Sequence, residues 1–186
     1  PRLEAGFHSL GFEGTRPVQG AVIPIALEGH DVVACAETGT GKTLAFAVPI
    51  IERLLSATPG YGDPAREAYT RALILAPTRE LAVQIEDSIV GLTYNTPVTS
   101  AAVFGGVEMG PQERALQAGV DIVVATPGRL MDHMRHSNTD FVRVDVLVLD
   151  EADRMMDMGF WPDVQRIMAA LPPDRQTLLF SATLPG

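Results

Sequence analysis

The stretch Ala36-Glu37-Thr38-Gly39-Thr40-Gly41-Lys42-Thr43 decides the fold. The apolar run Val32-Val33-Ala34-Cys35 enters it, and a helix-forming segment from Lys42 to about Ser56 leaves it. Strand, glycine loop and helix in that order make a P-loop. Gly39 and Gly41 let backbone N–H groups turn inward around phosphate oxygens, which a Cβ would obstruct. The helix that follows adds its unsatisfied N–H groups and the positive end of its dipole. Lys42 is the only lysine of the chain. It supplies a point charge for terminal phosphates, and the Thr43 hydroxyl suits Mg²⁺. Thr38, Gly39, Thr40, Gly41, Lys42 and Thr43 are therefore the candidate cofactor-binding residues. The alternative, a Gly/Thr turn that happens to precede a helix, leaves the flanking strand and helix without a reason. Ala36 stands at the position where the G-x-x-x-x-G-K-T pattern has its first glycine.

Working outward, the chain has 186 residues, enough for one α/β domain with a full core. A hydrophobic content of 46% excludes a disordered chain. No apolar run reaches membrane-span length and no secretory signal opens the sequence, so the expectation is a cytoplasmic protein with no membrane partner. Pro1 suggests a processed or shortened chain. The single cysteine, Cys35, excludes an intramolecular disulfide and, lying in an apolar run, reads as a small buried hydrophobe. The net charge of −9 argues against diffuse binding of nucleic acid but leaves room for a local basic face.

Along the chain, residues 2–10 read as a short amphipathic helix with Leu3, Phe7 and Leu10 at helical spacing. A helix is expected from Pro17 to about Leu27, closed by Gly29. Residues 57–69, rich in Gly and Pro, read as a surface loop. Strands are expected over 31–35, 71–76, 98–104, 121–125, 144–149 and 176–180. Helices are expected after the P-loop, with Pro49 as a kink, after Thr78, over 111–118, through Met131 and Met134, and from Trp161 to Leu171. The alternation of strand and helix predicts a mostly parallel sheet flanked by helices on both faces, with no linker, hence one domain over residues 1–186. The polar clusters at 36–43, 77–80, 105–106, 126–129, 150–153 and 181–183 each follow a strand's carboxyl end. In a parallel sheet those ends share one edge, where ligands bind.

Asp150-Glu151 closes an apolar strand. Read with the P-loop, Asp150 suits Mg²⁺ at a nucleotide's phosphates and Glu151 suits the water that attacks the terminal phosphorus. Lys42, Asp150 and Glu151 are the candidate catalytic residues; Thr43 and Asp150 are the candidate metal ligands. An acidic turn capping the next helix would look the same in isolation. Thr78-Arg79 and Thr126-Pro127-Gly128-Arg129 each open a helix with a hydroxyl and an arginine, which suits the backbone phosphates of a polymer. Gly105-Gly106 would let backbone approach such a strand. Capping with solvated arginines remains the alternative for each of these. His8, His30, His133 and His136 show no metal-ligand pattern. The Met155-Met156-Met158 cluster near Phe160 reads as core or interface packing.

Together these motifs resemble the DEAD-box ATP-dependent RNA helicases, specifically their first RecA-like domain. AETGTGKT looks like motif I, where that family also begins with alanine; PTREL (from Pro77) looks like motif Ia, Gly105-Gly106 like the GG motif and TPGR like motif Ib. DEAD at 150–153 matches motif II letter for letter, and Ser181-Ala182-Thr183 looks like motif III. GFEGTRPVQ, ending at Gln19, looks like the Q motif, whose glutamine reads adenine in the family. DEADRMMDMGF and GVDIVVATPGRLMDH look RhlE-like and bacterial. The resemblance implies ATP and Mg²⁺ as cofactors and RNA as a partner bound through its backbone by Pro77, Thr78, Arg79, Gly105, Gly106, Thr126, Pro127, Gly128 and Arg129. It implies a sheet order with the strand ending at Ser181 between the P-loop strand and the DEAD strand. Ser181 and Thr183 would then lie close to Asp153 and couple the nucleotide state to domain closure. It further implies a second RecA-like domain, carrying arginine fingers, that lies outside this chain. Thr15-Arg16 departs from the family's Pro-Thr, and the family's upstream aromatic falls before Pro1.

Overall fold

The computed structural model describes residues 14–57, 67–136, 139 and 141–183. The expected helix over 2–10 and most of the expected loop over 57–69 lie outside these residues. Among the described residues six strands form a single sheet: β1 (Val32–Cys35), β2 (Ala72–Leu75), β3 (Ser100–Val103), β4 (Ile122–Ala125), β5 (Val146–Leu149) and β6 (Gln176–Ser181). Their order is β1-β6-β5-β2-β4-β3, and every pairing is parallel. The described helices are α1 (Pro17–Leu27), α2 (Lys42–Ala57), α3 (Arg79–Thr93), α4 (Met109–Ala118), α5 (Pro127–Arg135), α6 (Ala152–Asp157) and α7 (Trp161–Ala170). None of them is long and apolar enough to cross a membrane.

The central strands are short continuous apolar runs because both of their faces are covered. ALIL, IVVA and VLVL are buried at every position. Their period of two divides the side chains between two cores. Ala72, Ile74, Ile122, Val124, Val146 and Val148 face a core closed by α1, α2 and α3. Leu73, Leu75, Val123, Ala125, Leu147 and Leu149 face a second core that includes Leu116, Leu130, Val164 and Ile167. Phe46 of α2 meets Phe180 of β6 edge-on at 5.4 Å between ring centres. Such a pair adds roughly 1 kcal/mol beyond the area it buries.

Local signals set the helix starts. Thr78 accepts the Leu81 N–H at 3.2 Å and caps α3, while Pro17, Pro127 and Pro162 sit in first turns, where no N–H is needed. Helix α2 runs on through Pro49.

One reading needs correction. Cys35 is exposed, not buried. Strand β1 is an edge strand of the described sheet; its alternate residues Val33 and Cys35 point away from the core, and Val33 is 65% exposed. The methionine cluster is split: Met155 is fully buried on the short helix α6, while Met156 and Met158 are exposed.

Candidate functional site

Because all pairings are parallel, the six polar clusters do share the carboxyl edge of the sheet. The strand order sorts them further. The P-loop after β1, Ser181–Thr183 at the end of β6 and Asp150–Asp153 after β5 occupy one half of the edge. Pro77–Glu80 after β2, Thr126–Arg129 after β4 and Gly105–Gly106 after β3 occupy the other. Strand β6 lies between β1 and β5, as the resemblance implied.

In the first half, Gly39 (φ 81°) and Gly41 (φ 88°) adopt left-handed backbone. A Cβ on Gly41 would stand 2.6 Å from Gln19 Nε2 and 2.8 Å from Arg16 Cδ, so the turn needs glycine for both shape and room. Lys42, 5% exposed at the start of α2, is held by Asp150 Oδ1 at 2.9 Å and Glu151 Oε1 at 3.5 Å. Asp150 is fully buried. Its Oδ1 also accepts the Glu151 N–H at 3.0 Å, and its Oδ2 has no partner among the described residues. Burial pushes the Asp150 pKa above its ordinary value, against the pull of the Lys42 ammonium. An anionic oxygen buried without a donor is costly and calls for a ligand. A hard cation with its water shell is such a ligand, so the donor set fits Mg²⁺.

Glu151 is the one described non-glycine residue with positive φ, at φ 52° and ψ 51°. Left-handed backbone at such a residue costs about 1–3 kcal/mol and concentrates at functional sites. Both carboxylate oxygens of Glu151 are engaged: Thr38 donates to Oε1 at 3.4 Å and Arg154 pairs with Oε2 at 3.3 Å. Thr40 turns back to the Glu37 carbonyl at 2.7 Å.

Gln19 lies against this loop, 4% exposed. Its Nε2 donates to the Gly41 carbonyl at 3.1 Å, and its Oε1 accepts the Arg16 N–H at 2.9 Å. Each end of the amide thus uses one of its two bonding positions. Arg16, where the family has threonine, donates from its guanidinium to the Gly39 carbonyl at 2.5 Å. Arg16 borders two clefts, one of ≈ 910 Å³ between α1 and β1 and one of ≈ 400 Å³ over the P-loop.

Asp153 meets the end of β6 as expected. Its Oδ2 accepts both the N–H and the hydroxyl of Thr183, at 3.1 and 3.0 Å. Ser181 donates to the Thr183 carbonyl at 2.5 Å. Burial would raise the Asp153 pKa, but bonds from Thr183, the Arg154 N–H and Ser181 outweigh it and hold the carboxyl below its ordinary value.

In the second half, Gly105 and Gly106 are exposed. Arg79 lies over the Phe104 ring at 5.0 Å, and Arg129 donates to the Val107 carbonyl at 3.0 Å. Each arginine therefore steadies the glycine turn and keeps further donors for a ligand. Thr78 and Thr126 are half-buried at the starts of α3 and α5, and Gly128 is half-buried beside them. Pro77 and Pro127 are buried and shape their turns from inside. Sequence reasoning missed Arg16, which lies in a departure from the motif, and Arg154 beside Glu151.

A model of the DEAD/DEAH box helicase family matches residues 16–186. The chain belongs to that family. It is 50% identical to the ATP-dependent RNA helicase DRS1 of Eremothecium gossypii, covering 96% of this chain and 24% of that protein. It is 49% identical to the DEAD-box ATP-dependent RNA helicase 30 of Arabidopsis thaliana (95% and 29%) and 48% identical to the ATP-dependent RNA helicase RhlB of Xanthomonas oryzae pv. oryzae (99% and 32%). These near-equal identities to fungal, plant and bacterial proteins favour no subgroup. The crystal structure of a hypothetical ATP-dependent RNA helicase from Sulfolobus tokodaii superposes with a TM-score of 0.86 at 36% identity, covering 99% of this chain and 51% of that one. The sheet thus has the RecA-like fold of a DEAD/DEAH box helicase domain. The chain spans about a quarter to a third of the length of these curated relatives.

Proposed function

We propose that this chain is the ATP- and RNA-binding half of an RNA-dependent ATPase that separates short RNA duplexes. The observation that carries the reading is the buried pair of Lys42 Nζ and Asp150 Oδ1 at 2.9 Å, with Asp150 Oδ2 left without a donor among the described residues. A lysine and a carboxylate at the ends of β1 and β5, beside a glycine loop, form a place for a phosphate chain and its metal.

Mg·ATP, when bound, would supply a charge-crowded phosphoanhydride and a metal to offset its charge. Thr43 and Asp150 would hold the metal. Lys42 exchanges its carboxylate partners for the terminal phosphates. Glu151, fixed by its left-handed backbone and by Thr38, orients a water and accepts its proton. Gln19 offers adenine the second donor and acceptor positions of its amide while its first positions hold the P-loop and α1. A filled base pocket is thereby linked to loop shape. Asp153, Thr183 and Ser181 tie the DEAD turn to the end of β6, so a change at the phosphates reaches the surface where a second domain would dock.

Gly105, Gly106, Arg79, Arg129, Thr78, Thr126 and Gly128 are proposed to take an RNA strand by phosphate and sugar, without reading bases. Such binding is insensitive to sequence and sensitive to salt. Pro77 and Pro127 contribute by shaping the two turns. The cation that neutralises the transferred phosphoryl group is expected from a second RecA-like domain, and such arginines contribute roughly 10³–10⁵ in rate in related enzymes.

The test compares RNA-stimulated phosphate release by residues 1–186 alone and after addition of the separately made second domain. A low rate restored by the second domain is expected. Full RNA-stimulated turnover from residues 1–186 alone would refute the half-site reading.

A further inference from the structure

The turn Phe104–Val107 carries Gly105 and Gly106, and Gly106 adopts φ 82°. Two adjacent glycines are the costliest backbone to hold in one shape. The structure anchors the carbonyls on either side of them. Val107 O accepts from Arg129 at 3.0 Å, and Phe104 O accepts from Gln112 Nε2 at 3.0 Å. Gln112, on α4, is 7% exposed, and its Oε1 lies 3.3 Å from Nε2 of His133, on α5 and fully buried. Helix α5 therefore reaches both ends of the turn, through Arg129 directly and through His133 by way of Gln112.

The chemistry has a direction. The Gln112 NH2 turns toward Phe104 O, so the atom that faces the ring is Oε1, an acceptor, and His133 Nε2 carries the hydrogen. Burial and the positive charge of Arg129 push the His133 pKa below its ordinary value. The ring is then neutral at neutral pH and adds no second cation beneath Arg129. An apolar pair could fill the same space. What the polar pair adds is a fixed position for one backbone carbonyl, since a fully satisfied buried network rigidifies what it touches.

We infer that Gln112 and His133 are positioning residues of the nucleic-acid half of the edge: they fix the Phe104 carbonyl and hold the Gly105 and Gly106 N–H groups in the shape that receives a strand's backbone. The inference rests on the RNA reading of this edge proposed above.

The test uses residues 1–186 with Gln112→Met, His133→Phe, the double variant and His133→Gln, which restores a donor. Backbone hydrogen exchange at Gly105 and Gly106 is measured beside affinity for a single-stranded RNA oligonucleotide and for ADP. Gln112→Met is expected to speed exchange at both glycines and to weaken RNA binding about three- to tenfold, with ADP affinity unchanged. His133→Phe should add nothing once Gln112 is Met, and His133→Gln should retain most of the wild-type behaviour. If His133→Phe does not fold, Gln112→Met and His133→Gln still decide. Unchanged exchange in Gln112→Met, or additive effects of the two substitutions, would overturn the inference. Unchanged RNA affinity in Arg79→Ala and Arg129→Ala would instead remove the RNA reading of the edge, and exchange at the two glycines would still judge the anchoring.

Discussion

Replacing Lys42 by methionine should damage this protein even before any nucleotide is added. Lys42 is 5% exposed and Asp150 is fully buried, and they meet at 2.9 Å. Removing one partner of such a pair leaves a charge in the interior and costs about 3–5 kcal/mol. A domain of this size has roughly 5–15 kcal/mol of stability in total, so the loss is a large share of it. At about 2–4 °C per kcal/mol, the melting temperature should fall by roughly 6–20 °C. Thermal and urea unfolding followed by circular dichroism would measure it. The double variant Lys42→Met, Asp150→Asn should recover most of the loss, because the uncompensated charge is gone. Neither variant should bind Mg·ATP in calorimetry, since no other lysine exists to meet the phosphates. A Lys42→Met protein as stable as wild type, or one that keeps its ATP affinity, would refute the reasoning.

Glu151→Gly should be about 1 kcal/mol more stable than Glu151→Ala, because both lose the carboxylate's partners and only glycine adopts φ 52° without strain, while both abolish phosphate release by the protein complemented with its second domain; equal stability of the two in urea would count against stored strain. ADP should bind more tightly than GDP, since guanine presents O6 where adenine presents an amino donor to the Gln19 amide; equal affinities in calorimetry, or a preference that survives Gln19→Ala, would remove Gln19 from base choice. The lowered His133 pKa means that the unfolded chain binds more protons below pH 6.5, so stability should fall from pH 6.5 downward, toward the folded-state pKa. His133→Gln should lose less than wild type over that window, as read from melting temperatures between pH 7 and pH 5.

Much of this architecture is written locally. Val146–Leu149, Ala72–Leu75 and Ile122–Ala125 are apolar at every position, which is what a strand covered on both faces requires. Once the sheet is parallel, the carboxyl ends must share an edge, so the motifs converge without any knowledge of their order. The order itself is not local. Val32-Val33-Ala34-Cys35 resembles a central strand, yet β1 lies at the sheet's rim, and Val33 and Cys35 face outward. Side-chain bonds across elements were equally out of reach. Gln112 and His133 are 21 positions apart, and neither sits in a recognised motif. Gln19 was legible only through its resemblance to the Q-motif glutamine, and its bonds to Gly41 and Arg16 depend on how α1 packs against the P-loop. The left-handed backbone of Glu151 follows from closing β5 into the six-residue helix α6, which is too short to announce itself by periodicity.

The central claim is that one sheet edge is divided, with nucleotide at the β1, β6 and β5 ends and RNA at the β2, β4 and β3 ends. Backbone hydrogen exchange with each ligand in turn tests it most directly. Saturating Mg·ADP is expected to protect residues 36–43 and 150–153, and saturating single-stranded RNA at low salt is expected to protect residues 77–80, 105–107 and 126–129. RNA protection confined to the P-loop, or identical footprints for the two ligands, would contradict the division.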